Sequence, residues 1–165
     1  MSTFDEKLRD ELQIRALLER YTNAVNVRDW KTYRACWATD AVWHLEEPLN
    51  GKYEGIEAIM AEVDKTVESL ELFIQMTHSV TVTDLTERTA KAVVTLNEIG
   101  RPFKDNGFPF PGMFILAMYF DDLEKRDGGW VFARRVYKVA SWDASELKAD
   151  VYQQHWVNQP KAATA

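Results

Sequence analysis

Two residues that can exchange protons fall where the pattern of the chain expects apolar side chains. "MTHSVTVTD", residues 76–84, reads as a β-strand; counting in twos from His78 reaches Val80 and Val82, while Thr77, Ser79, Thr81 and Thr83 take the other face. That parity places an imidazole at the head of a buried face. In the following strand-like run Ala90, Ala92, Val94, Leu96 and Glu98 share a face, so Glu98 is expected to point inward as well. A carboxylate in apolar surroundings must find a partner or hold its proton to higher pH, and a neighbouring strand bearing His78 could supply that partner. Such a pair can carry out general acid–base chemistry near neutral pH. Tyr21 sits on the apolar stripe of a long amphipathic run and needs a partner for its hydroxyl if buried. Asn26 lies where that run should end. Structural readings stand beside these: a core histidine satisfied by a carbonyl, a tyrosine bonded to a carbonyl, an asparagine closing a helix, a glutamate at a sheet edge.

The elements that would position these groups are legible from hydrophobic periodicity. From about Asp5 to Val27, Leu12, Leu17, Leu18, Tyr21 and Val25 recur at helical spacing with charges opposite. Asp29 can cap a second helix through Trp30, Tyr33 and Trp37, ending near Thr39 and Asp40 before a short strand, AVWHL. A loop with Pro48 and Asn50-Gly51 follows, and Gly55 leads into a third helix, IEAIMAEVDKTVESL, striped by Ile56, Ile59, Met60, Val63 and Val67. The period then changes to two. Four strands are expected, Phe73 to Asp84, Thr89 to Gly100, Met113 to Leu123 and Gly129 to Ser141, separated by turn-like LTER, RPFKDNGFPFPG and EKRDGG. Short links favour antiparallel pairing, so three helices should precede a curved meander in an α+β domain spanning residues 1–165. MFILAMYF is apolar on both faces and requires cover on both, the second of which could be another subunit. A last short helix is expected in DASELKADVYQQHWVNQP.

Composition narrows the function. With 165 residues and 46% hydrophobic content the chain fits one domain with a sizeable core. Lys and Arg number 20 against 26 Asp and Glu, a net charge of −6 with the signs interspersed, which argues against nucleic acid as a partner. The opening MSTFDEKLRDEL is charged and the longest apolar run, Met113 to Phe120, is too short to span a bilayer, so a soluble, cytoplasmic protein without a membrane partner is expected. The single cysteine, Cys36, reads as a small buried hydrophobe. A phosphate loop, dinucleotide fingerprint and HExxH motif are all missing, and the histidines at 44, 78 and 155 have no ligand spacing. Chemistry without metal or cofactor, or no chemistry at all, is what remains. Aromatic residues make up 12% of the chain, either building a thick core or lining a pocket for a ring-shaped ligand.

The order of these elements, with "LLERYTNAVNVRDW", "DAVWHL", "MTHSVTVTD", "TAKAVVTLNEIGR" and "RDGGWVFARR", resembles the SnoaL-like group of the nuclear transport factor 2-like (cystatin-like) superfamily, in particular its scytalone dehydratase and bile acid 7α-dehydratase branch. The resemblance covers roughly residues 8 to 140. It implies a cone-shaped, strongly curved mixed or antiparallel sheet around a deep apolar pocket closed by helices. It also implies a homotrimer and a cofactor-independent lyase of the dehydratase type. His78 matches the histidine that these dehydratases use as general acid/base, Tyr21 the helix tyrosine that hydrogen-bonds substrate, and Glu98 a strand aspartate. Asn26 stands where the dehydratases have an aspartate, and His44 near a substrate-binding tyrosine. In this reading His78 removes a proton beside a carbonyl or phenol and returns it to a leaving hydroxyl. Glu98 holds the ring, and Tyr21, with Asn26 or His44, donates to the developing oxyanion. The small-molecule substrate would be bulky and apolar with a few oxygens, such as a polyketide, steroid or lignin-derived aromatic, walled by Trp30, Trp37, Trp43, Phe103, Phe108, Phe110 and Trp142, with the loop RPFKDNGFPFPG either a flap or a packed loop on a subunit interface. Isomerases, cyclases, formaldehyde-releasing aromatic lyases and the non-catalytic small subunit of ring-hydroxylating dioxygenases share this fold, and fold alone does not choose among them. A carboxylate-based isomerase would put Glu98 in the place of His78.

Overall fold

Helix α1 (Phe4–Asn26) begins at a reciprocal cap. Thr3 accepts from the Glu6 amide, and the Glu6 carboxylate accepts from the Thr3 amide at 2.7 Å. Its inner stripe, Ile14, Leu17, Leu18, Tyr21 and Val25, is buried, whereas Leu12, expected on that stripe, is 59% exposed. A computed structural model describes residues 3–104, 108–127, 129–153 and 157. In it the chain is α+β, with three helices and a six-stranded mixed sheet.

Asp29 caps α2 (Trp30–Ala35), its carboxylate accepting from the Thr32 amide and hydroxyl at 3.3 and 2.9 Å. This helix stops earlier than its spacing predicts. Trp37 pairs with Phe132, whose amide donates to the Cys36 carbonyl at 2.9 Å, so strand β1 (Trp37–Leu45) opens at a residue expected to be helical. Tertiary pairing overrides local propensity there. Cys36 is buried, as expected.

Asn50 at φ 51° turns the chain into β2 (Gly51–Glu54), read from sequence as loop but paired antiparallel to β1. Gly55, at φ +83°, then opens α3 (Ile56–Glu68); this left-handed backbone is one that only glycine adopts without cost. Ile56, Ile59, Val63 and Val67 bury the α3 stripe.

The long strands are β3 (Leu70–Thr83), β4 (Thr89–Pro102), β5 (Met113–Arg126) and β6 (Gly129–Asp143). Sheet order is β2-β1-β6-β5-β4-β3, antiparallel throughout except for the parallel β1–β6 pair. That parallel pair is possible because β2, α3 and β3–β5 lie between β1 and β6, enough chain for a crossover. On β5, Ile115, Ala117, Tyr119 and Leu123 face inward and are buried, whereas Phe114, Leu116 and Phe120 on the other face are 45%, 42% and 38% exposed. Within one chain the second face of this strand is therefore uncovered. Residues 144–153 form no helix, contrary to the reading of the tail, whose remainder lies largely outside the described residues. Among the described residues no helix is long and apolar enough to cross a membrane.

One irregularity decides the site. Thr77 pairs with Leu96 but Val80 pairs with Val94, so two residues of β3, His78 and Ser79, stand opposite the single residue Thr95. This β-bulge resets the alternation of the strand. Phe73 and Gln75 face inward before it; Val80 and Val82 do so after it.

Candidate active site

Between α1, α3 and the concave face of the sheet lies a cavity of about 180 Å³. Trp43 and Leu45 of β1, Tyr53 of β2, Val63 and Val67 of α3, and Phe73, Ile115 and Trp142 of the long strands form an apolar wall. Glu62 and Thr66 of α3 line it too, as do Tyr21, Gln75, Glu98, Tyr119 and Tyr137.

Those five are joined into one hydrogen-bonded chain. Gln75 lies directly opposite Glu98 in the β3–β4 ladder, and its Nε2 donates to Glu98 Oε1 at 2.7 Å. The same nitrogen donates to the Tyr119 hydroxyl at 3.1 Å, spending both amide hydrogens. Tyr137 donates to Glu98 Oε2 at 2.6 Å. The Tyr119 and Tyr21 hydroxyls are 3.4 Å apart, and Tyr21 in turn lies 3.3 Å from the Tyr33 hydroxyl. Glu98 thus accepts one hydrogen bond on each oxygen, the arrangement of an ionised carboxylate. Burial nonetheless pushes its pKa above the ordinary 4.5, an effect that the Tyr137 and Gln75 donors and the Arg135 charge oppose. Burial, with the carboxylate beside it, drives the Tyr137 hydroxyl upward, so it remains a donor.

Behind the tyrosines sits a buried cation. The Arg135 guanidinium is bound bidentately by Asp121, Nε–Oδ1 and Nη2–Oδ2 both at 2.7 Å, with both side chains essentially inaccessible. Its carbon lies 3.9 Å from the ring centroids of Tyr119 and Phe132 and 4.2 Å from that of Tyr21. The Asp121 charge and this stacking keep Arg135 protonated. Burial raises the Tyr21 pKa, and the Arg135 charge counters that rise. The cation thereby leaves the hydroxyl a stronger hydrogen-bond donor than burial alone would.

Several expectations are corrected. His78 does not face inward: it is exposed on the outer face, its ring nitrogen against Asn97 Oδ1, and the bulge that puts it there separates it from Glu98. His44 alternates with Trp43 and Leu45 along β1 and does not line the cavity. Asn26 does not line it either. Its side chain pairs with the backbone of Gln75, accepting from the amide at 2.7 Å and donating to the carbonyl at 2.8 Å, which fastens the end of α1 to β3. Of the expected walls, Trp43, Phe108 and Trp142 line the cavity. Trp37 is packed into the core against Tyr21, Tyr33 and Phe132, and Trp30 packs on Tyr33. Phe103 and Phe110 border a separate open groove beside Arg101 and residues 146–150. Part of the loop expected as a flap, residues 105–107, lies outside the described residues.

Tyr21 and Glu98 are brought together as expected, but through residues the sequence reading passed over. Counting in twos from the apolar Phe73 would have reached Gln75, and counting from Ile115 would have reached Tyr119. Arg135 offered no such signal, because an arginine within RRVYK reads as surface.

Helices packed on the concave face of a curved mixed sheet, with a polar cluster at the floor of an apolar cavity, define the nuclear transport factor 2-like, cystatin-like class of α+β proteins. The chain belongs to the SnoaL-like domain family, which it matches over residues 6–136. Solved structures of the same fold include a protein of Novosphingobium aromaticivorans provisionally assigned as a scytalone dehydratase (17% identity, 89% of this chain and 95% of that one, TM-score 0.76). They also include the hexachlorocyclohexane dehydrochlorinase LinA-type3 of Novosphingobium barchaimii (20% identity, 91% and 98%, TM-score 0.75). A third is an NTF2-like protein with a cystatin-like fold from Novosphingobium aromaticivorans (21% identity, 81% and 83%, TM-score 0.67). No curated protein sequence matches the chain.

Proposed function

We propose that this protein is a cofactor-independent lyase that eliminates water from a small, largely apolar hydroxylated molecule, with Glu98 as its acid–base group. The observation that carries this reading is a carboxylate held at the floor of an apolar cavity by Gln75 and Tyr137, its pKa raised by burial. Raised carboxyl groups in dry pockets are suited to taking a proton from carbon near neutral pH. Glu98 takes the proton beside a carbonyl, and the electron pair moves onto the carbonyl oxygen, where Tyr21 or Tyr119 donates a hydrogen bond. As the pair returns, the carbon–oxygen bond of the neighbouring hydroxyl breaks. The departing oxygen collects the proton from Glu98 and leaves as water, restoring the carboxylate. A single preorganised donor of this kind contributes roughly 3–4 kcal/mol to the transition state. The dehydratase and dehydrochlorinase named among the structural relatives are eliminating enzymes, which supports the reaction type.

The test is independent of leaving group. Incubated in D₂O with cyclic β-hydroxyketones, the protein should exchange the proton beside the carbonyl, followed by NMR, and Glu98→Gln should lose at least a hundredfold in rate. Exchange by Glu98→Gln at the wild-type rate would end this proposal. Accumulation of a shifted double bond without water release would instead favour an isomerase on the same carboxylate.

A further inference from the structure

The ligand of this cavity can be narrowed by counting hydrogens. Tyr33 is fully buried and, among the described residues, its hydroxyl meets only that of Tyr21, which is therefore the one place where its hydrogen can be used. Tyr119 receives a hydrogen from Gln75. Between Tyr21 and Tyr119 one hydrogen serves the 3.4 Å contact, whichever oxygen supplies it. The other hydroxyl hydrogen then has no acceptor among the described residues. Both tyrosines line the cavity, so the surplus hydrogen is available to an acceptor on a ligand bound there. An unmet donor in a buried site is costly, and a ligand oxygen there is favoured over a hydrocarbon.

Space and spacing complete the picture. A cavity of about 150 Å³ suffices for benzene, and this one measures about 180 Å³. That matches one six-membered ring with a small substituent, and a fused second ring would have to extend beyond it. The Gln75 amide bridges Tyr119 at 3.1 Å and Glu98 at 2.7 Å, so the oxygen-binding donor and the base are separated by about one amide nitrogen. A carbonyl oxygen and the carbon next to it span that gap. Resting on Glu98 as the base of the site, we infer that the substrate is a neutral monocyclic enolisable ketone, its carbonyl oxygen on Tyr21 or Tyr119 and its adjacent C–H toward Glu98. This sets aside the polyketide and steroid skeletons that a deep pocket would admit.

Binding of cyclohex-2-enone, methylcyclohexene, 2-tetralone and a steroid enone to the full chain, read by titration calorimetry, tests the inference without requiring turnover. Cyclohex-2-enone should bind about tenfold more tightly than methylcyclohexene, the worth of one carbonyl hydrogen bond. The tetralone and the steroid should not bind. In Tyr21→Phe combined with Tyr119→Phe, which preserves ring volume, the preference for the ketone should vanish; near-ultraviolet circular dichroism checks that the core is intact. Tetralone binding as well as the single-ring ketone, equal affinity for ketone and hydrocarbon, or no saturable binding of the ketone up to its solubility limit would each overturn the inference. Saturable cyclohex-2-enone binding without proton exchange would support the ligand class while ending the lyase reading. Proton exchange on tetralone would do the reverse.

Discussion

Gln75 and Glu98 stand directly opposite one another across the β3–β4 ladder, and a 2.7 Å hydrogen bond joins their side chains inside the cavity. Gln75 occupies the inward position expected for His78, so the partner of the buried carboxyl is an amide that carries no charge and exchanges no proton. Under the proposed function, acid–base work at this site would fall to Glu98, tuned by what surrounds it.

The first consequence is a pH dependence. The folded pKa of Glu98 lies above its ordinary 4.5, so the folded state binds more protons than the unfolded one between those values. Stability should therefore fall as pH rises from about 4.5 through the folded pKa, then level off. Glu98→Gln should lack this slope, measured by urea unfolding over a pH series. The acid limb of kcat/KM should likewise lie above pH 4.5, because the base must be ionised.

Removing one donor should move that limb. Gln75→Leu deprives the Glu98 carboxylate of one of its two hydrogen bonds, raising its pKa further and shifting the acid limb to higher pH. His78→Ala, on the opposite face, should leave the pH–rate profile in place.

Asn26 should prove structural. Asn26→Ala leaves the Gln75 amide and carbonyl unmet, at about 1–3 kcal/mol for each buried group, and should lower the urea midpoint. Asn26→Asp should also destabilise, since a carboxylate would face the Gln75 carbonyl that the amide now serves. A rate effect larger than the stability loss explains would show that Asn26 also reaches the chemistry.

The Arg135–Asp121 pair has a large expected effect. Asp121→Asn leaves a guanidinium buried with its charge uncompensated, which should cost about 3–5 kcal/mol. Thermal unfolding reads this directly; a drop under about 1 kcal/mol would mean that stacking on Tyr21, Tyr119 and Phe132 is enough to hold the cation.

The outward face of β5 predicts self-association. Phe114, Leu116 and Phe120 are partly exposed in a single chain, and a second copy is the cover expected for such a row. Sedimentation velocity should give a species larger than one chain, and Leu116→Lys should shift it toward monomer; a monomeric wild type would remove the expectation.

The three helices, the four long strands and the burial of Tyr21 and Glu98 follow from the sequence alone, because 3.6- and 2-residue periodicity is local and each apolar stripe must be buried somewhere. The β2 strand and the early end of α2 do not, because both depend on what β1 pairs with. Nor is the side on which His78 lies encoded in its own strand. A single extra residue opposite Thr95 flips the alternation, and that mismatch exists only once β3 and β4 are paired. The tyrosine cluster and the buried Arg135 belong to the same category. They come from four separate elements, α1, α2, β5 and β6, and only the closing of the sheet over α1 sets a cation against three aromatic rings.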